Sequence, residues 1–225
     1  MGRDNHPRER RAAAIQRKQG KRATYDRILI VSEGSKTEPQ YFCEIKQHYR
    51  LHTANVQVQP SQLGTQPIQV VAFAEQLFLT GDLSKDIQPR AFEQVYAVFD
   101  RDDHATYHAA LSKAAALDGT LRNDLKQFVR FQAIASVPCF ELWLLLHFED
   151  VLAPLYRNEV YQRLRQYLPD YNKGQPGHFA DTRAYLETAT QRAERLAAQA
   201  NAHNGIESCT DIHRLVTLLT TLKPE

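Results

Sequence analysis

Two acidic clusters each stand where a short apolar run ends. Ile28-Leu29-Ile30-Val31 leads into Ser32-Glu33-Gly34, with Glu38 five residues beyond Glu33. Val95-Tyr96-Ala97-Val98-Phe99 leads into Asp100-Arg101-Asp102-Asp103. If both runs are parallel strands, their carboxyl ends open on one sheet edge, where α/β folds bind ligands. Carboxylates brought there from two strands make an oxygen cage suited to a hard divalent cation such as Mg2+, and that points to phosphate chemistry. Asp100 and Asp102, at i and i+2 of an extended strand end, are expected on one side, and two like charges held close call for a cation between them. The competing reading is a strand-to-helix turn in which an Asp caps the next helix. Asp103 is assigned that part, which leaves Asp100 and Asp102 as metal ligands. Glu33 completes the coordination or carries a proton, and Gly34 after it permits a tight turn. Glu38 serves equally as a site residue and as a helix-start charge favoured by the macrodipole.

The elements that must position these groups read as strand, helix, strand, helix, strand, helix, strand. Residues 27–32 form an apolar strand covered on both faces. Thr37-Glu38-Pro39 opens a helix that carries Tyr41, Phe42, Ile45 and Tyr49 at helical spacing. Residues 55–59 alternate like an outer strand, and 66–79 make a second helix closed by Gly81. A strand at 94–99, an alanine-rich helix at 104–117 and a strand at 127–135 follow. That order implies right-handed crossovers and a mostly parallel four-stranded sheet. From residue 140 the pattern turns helical: a buried helix at 140–148, then 156–167, 179–202 and 209–222, with a Gly/Pro loop around Lys173. Trp143 reads as core and His147 as a hydrogen-bonded structural histidine.

Charge is unevenly spread. Residues 1–22 hold eight Lys/Arg against Asp4 and Glu9, a net +6, so the remainder of this +2 chain carries −4. A basic arm beside an acidic body suits a polyanion partner such as nucleic acid, or equally a solubilising tail. The division that follows is a basic flexible arm at 1–22, an α/β core at 23–150 and a helical C-terminal part at 151–225. No apolar run reaches the roughly 20 residues that span a bilayer, and the first residues lack the apolar core of a secretory signal. Cys43, Cys139 and Cys209 match neither a disulfide framework nor a zinc spacing, so a reduced, cytoplasmic setting is expected.

The pairing of a glutamate after the first strand with Asp-x-Asp after a later one resembles the Toprim fold (topoisomerase–primase type). The fuller resemblance is to the RloB-like family. It rests on Ile28–Gly34 with Thr37-Glu38-Pro39 and Tyr41-Phe42, on Val98–His104, and on Ser136-Val137-Pro138-Cys139-Phe140-Glu141-Leu142-Trp143-Leu144-Leu145-Leu146-His147-Phe148. Tyr171-Asn172-Lys173 and Ser208-Cys209-Thr210 are further echoes, and the likeness spans roughly residues 27–220. The chain departs from the family's pattern at Val137, where Asn tends to precede Pro, and at Ser208-Cys209, where Pro-Ser is commoner.

The resemblance implies a Toprim-like fold in which Glu33, Asp100 and Asp102 hold Mg2+, with Mn2+ as a substitute. It implies a nuclease acting on DNA or RNA in antiviral, abortive-infection defence, with a partner protein encoded beside it. Glu33, Glu38, Glu141 and Lys173 take the catalytic roles. For Glu141 the alternative is a helix-start charge or a salt bridge to Arg130 or Lys173; for Lys173 it is plain exposure. Two other functions remain open: a nucleic-acid- or nucleotide-binding sensor without turnover, and a haloacid-dehalogenase-type phosphatase with Asp100 as nucleophile. The second would leave Glu33 without a role and has His104 where Thr or Val is usual.

Overall fold

A computed structural model describes residues 25–53, 55–199 and 208–222; the basic arm at 1–22 lies outside them. Strand β1 (Ile28–Ser32) is followed by α1 (Thr37–His48), β2 (Val56–Pro60), α2 (Pro67–Thr80), β3 (Gln94–Asp100), α3 (Tyr107–Leu117) and β4 (Arg130–Val137). Then come α4 (Glu141–Leu145), α5 (Arg157–Tyr167), α6 (His178–Thr182), α7 (Leu186–Gln199), β5 (Cys209–Thr210) and α8 (Ile212–Thr221).

Among the described residues the sheet has five strands, in the order β2-β1-β3-β4-β5. The first four are parallel, and β5 runs antiparallel to the end of β4, with Ser136 opposite Thr210 and Val137 opposite Cys209. Every residue of β1 and β3 is buried, as strands covered on both faces must be. Alternation along β1 divides the core. Ile28 and Ile30 pack with Tyr41, Phe42, Trp143 and Leu215 on the face of α1 and the C-terminal helices. Leu29 and Val31 pack with Val70, Phe78, Ala110 and Leu111 of α2 and α3 on the other. Because α1 and α2 leave β1 and β2 on opposite faces, the chain direction reverses between β1 and β3. That is the switch point, where the strand ends diverge into a crevice.

Five expectations are corrected. The sheet has a fifth strand where a helix from 209 was expected; two residues are too few for a periodic pattern, and the partner strand lies far away in sequence. Strand β4 starts at Arg130 rather than 127, because Gln127 and Leu125 donate their backbone N–H groups to the Asn123 side chain at 2.8 and 3.0 Å, closing a loop instead. Helix α3 starts at Tyr107; Asp103 is exposed and caps nothing, and Thr106 precedes the helix without a side-chain cap. The buried helix expected at 140–148 is regular only over the five residues of α4. The long helix expected from 179 is broken at Arg183–Tyr185, a 3-10 turn between α6 and α7. Among the described residues no helix is long and apolar enough to cross a membrane.

Candidate active site

Glu33 is the first residue past β1, and it is tied to β3 twice. Its backbone N–H donates to the Val98 carbonyl at 2.8 Å, and its Oε2 accepts from the Asp100 N–H at 3.0 Å. The two acidic clusters, 67 positions apart in the chain, thus meet at the switch point. Asp100 closes β3 and is buried. Asp102 does not continue the strand: its φ is +37°, in the left-handed region, where a non-glycine residue is uncommon and often marks a site. The turn is held by β4, since Arg101 N–H donates to Ser136 at 2.8 Å and Asp102 N–H to Pro138 at 3.3 Å. The two aspartates converge, therefore, through a tight turn and not through the strand alternation expected from the sequence.

What joins them is an arginine that sequence reasoning missed. Arg157, the first residue of α5, places Nη2 at 3.0 Å from Asp100 Oδ2 and 2.7 Å from Asp102 Oδ2. His104 is the second omission: its Nε2 lies 3.6 Å from Glu33 Oε1. Glu33, Asp102 and His104 each offer one ligand atom, all within 4.8 Å of one another. Two carboxylates and an imidazole fit a divalent cation by donor chemistry. Asp100 lies outside this group of three, its Oδ2 turned to Arg157.

Glu38 and Glu141 back the same centre from the first turns of α1 and α4. Glu38 is 4% exposed and Glu141 is fully buried. The Glu38 carboxylate folds onto Gly34, in the space a side chain at that position would take. Glu141 Oε1 accepts from the Tyr171 hydroxyl at 2.8 Å. Among the described residues, Oε2 of each glutamate is buried without a hydrogen-bond partner, which is costly unless something polar reaches it. Arg130, at the far end of β4, is not the partner of Glu141.

Lys173 reaches the centre on a loop pinned to α1. Gly174 N–H donates to Thr37 Oγ1 at 2.9 Å, and Glu44 accepts from Gly177 N–H at 2.5 Å and Phe179 N–H at 2.9 Å. The Lys36 stem packs against Gly174, whose φ of +84° suits glycine.

The electrostatics follow from crowding. Burial raises the Asp100 carboxyl well above its ordinary range, and Glu38, Glu141 and Glu33 add to that while Arg157 opposes it. Burial likewise raises Glu33, against the hydrogen bond from Asp100 and the charge of His104. Glu38 is pushed up to about 7 by burial and by Glu141, with Lys173 opposing. Asp102 is raised by burial against the pull of Arg157. For Arg157 and Lys173 burial works against the charge, but the surrounding carboxylates outweigh it and hold both cationic. Carboxyls shifted by burial and by one another, gathered at one sheet edge, make a candidate functional site.

Two other expectations concern residues beside the centre. Trp143 is fully buried and donates Nε1–H to the Tyr41 hydroxyl at 2.8 Å. His147 is buried with Nδ1 at 2.9 Å from the Trp143 carbonyl, and burial lowers its pKa to about 4. Ser208, where the chain departs from the family's pattern, accepts from Leu155 N–H at 2.8 Å and so fixes the approach to α5.

Comparison with curated proteins and with solved structures finds no match. A family model described as RloB-like protein matches residues 28–219, which include every residue of the acidic centre. The chain belongs to the RloB-like protein family.

Proposed function

We propose that this protein is a Mg2+-dependent nuclease of the Toprim type, able to use Mn2+, that hydrolyses phosphodiesters of DNA or RNA in antiviral, abortive-infection defence. The observation that carries the reading is the meeting of Glu33 with the Asp100–Asp102 turn at the switch point, backed by Glu38 and Glu141. The Toprim assignment is supported by the position of that glutamate after the first strand and of Asp-x-Asp after β3. Glu33, Asp102 and His104 would hold the cation, with Asp100 beside them. The chemistry a divalent cation brings when bound here is polarisation of a phosphoryl oxygen and a lower pKa for water.

The chain's own groups divide the remaining work. Glu38, held near 7, is suited to take or give a proton at neutral pH. Arg157 and Lys173 keep their charge among the carboxylates, and so can offset the negative charge of a phosphodiester entering an acidic crevice. Burial of Asp100 and Glu141 excludes water from the back of the site.

The test is metal-dependent cleavage of DNA and RNA by the wild type, Asp100→Ala and Glu33→Gln. Both variants should lose about a thousandfold in rate, and equal activity in all three would dispose of the mechanism. One observation favours a second reading, a nucleic-acid or nucleotide sensor without turnover: Arg157 already occupies the space between the two aspartates. Metal-dependent binding with no cleavage by the wild type would select it.

A further inference from the structure

Next to the acidic centre lies an open cleft of about 450 Å3, lined by Asn158, Tyr161, Gln162, Arg165, Tyr171 and Lys173. Four of these come from α5 at i, i+3, i+4 and i+7, which is one helical face. The same helix begins with Arg157, whose guanidinium bridges Asp100 and Asp102. Lys173 belongs to both places, since it lines the cleft and stands in the field of Glu141, Asp100 and Glu38. Tyr171 links them as well, by donating its hydroxyl hydrogen to Glu141 at 2.8 Å. The cleft therefore borders the centre through Lys173 and Tyr171.

Its chemistry is the reverse of its neighbour's. Among the described residues the lining has two cations, two amides and two phenol rings, and no carboxylate. Tyr161 and Tyr171 stand with ring centroids 6.2 Å apart; Tyr161 is partly exposed and Tyr171 buried behind it. Amide side chains match the donor and acceptor pattern of a base edge, a tyrosine ring offers a stacking surface, and Arg and Lys suit phosphates. The volume falls within the range of about 300–1,000 Å3 usual for small-ligand sites.

We propose that this cleft receives an unpaired nucleobase, so that the substrate is a single-stranded or looped stretch of nucleic acid whose backbone crosses the acidic centre. The inference rests on the nuclease reading and narrows it. A base inside a duplex has its pairing edge consumed and its faces stacked, and cannot enter a concave site of this kind.

Fluorescence anisotropy tests it, with the full chain carrying Glu33→Gln in Mg2+ buffer near physiological ionic strength. The probes are short labelled RNA and DNA single strands and the duplexes of the same sequences. At least one kind of single strand should bind about tenfold tighter than its duplex. Gln162→Ala with Arg165→Ala, both at exposed positions, should bring single-strand binding down to the duplex level and leave duplex binding unchanged. Equal affinity for strands and duplexes, or no effect of the double variant, overturns the proposal. If the wild type cuts duplex as readily as single strands, the cleft inference falls while the nuclease reading stands. If the wild type cuts neither and no probe binds, the nuclease reading fails and this one with it.

Discussion

Arg27 and Arg157 each hold two carboxylates, at opposite ends of the same sheet, and their surroundings differ in charge balance. At the N-terminal end Arg27 Nε lies 3.0 Å from both Glu93 oxygens, and its Nη groups reach Asp124 at 2.8 and 2.6 Å. Asn123 donates to Glu93 at 3.0 Å, and the Arg27 backbone N–H to the same carboxylate at 2.6 Å. At the C-terminal end Arg157 meets Asp100 and Asp102 through one nitrogen, and its buried Nε makes no hydrogen bond among the described residues. Five carboxylates (Glu33, Glu38, Asp100, Asp102 and Glu141) crowd there against Arg157 and Lys173. A charge network in which the groups are paired joins the termini of β1 and β3 and serves stability. One with surplus negative charge and orphaned oxygens is held together at a cost in stability, which proteins tolerate where function requires it.

That contrast can be broken by substitution, and the largest effect is expected at the paired end. Arg27→Met leaves Glu93 and Asp124 without their cation and should cost about 3 kcal/mol of unfolding free energy, measured by urea titration, with cleavage per folded molecule intact. The acidic end should respond the other way. Asp100→Asn removes one like charge from a buried cluster while keeping the shape, and should stabilise the fold by about 1 kcal/mol at neutral pH while abolishing cleavage. A loss of stability in Asp100→Asn as large as that in Arg27→Met would erase the distinction.

The smallest effect concerns pH. Glu38 has its folded pKa raised to about 7 from an ordinary 4.5. The folded state therefore binds the proton more tightly than the unfolded chain. The stability this contributes is complete below about 4.5 and is lost as pH rises through about 7. His147, lowered to about 4 by burial, acts in the opposite direction, with its contribution lost as pH falls from 6.5. The difference in Tm between wild type and Glu38→Gln isolates the contribution of Glu38. It should widen from pH 4.5 to 7 in favour of the variant, and a flat difference would show that Glu38 titrates normally.

Much of the acidic centre is legible in the residues themselves. Glu33, Asp100 and Asp102 end or follow fully buried apolar strands, and Glu38 and Glu141 open helices on the same sheet edge. Arg157 is less visible, although one signal exists: a cation in the first turn of a helix opposes the macrodipole, so something else must hold it there. His104 was signalled by its place two residues after Asp102. Strand β5 and the break at Arg183 carry no such mark, because two residues have no periodicity and a 3-10 turn shares the composition of a helix.

The chain's own order of residues determined the alternation of strand and helix, the depth of β1 and β3 and the delivery of carboxylates to their ends, because these follow from local apolar runs and from the chirality of crossovers. Only the tertiary structure decided that Arg157 lies between the aspartates, that His104 comes within reach of Glu33 and Asp102, and that Lys173 and Tyr171 stand beside Glu141. The reason is that charge acts over a few ångströms of space, whatever the distance along the chain.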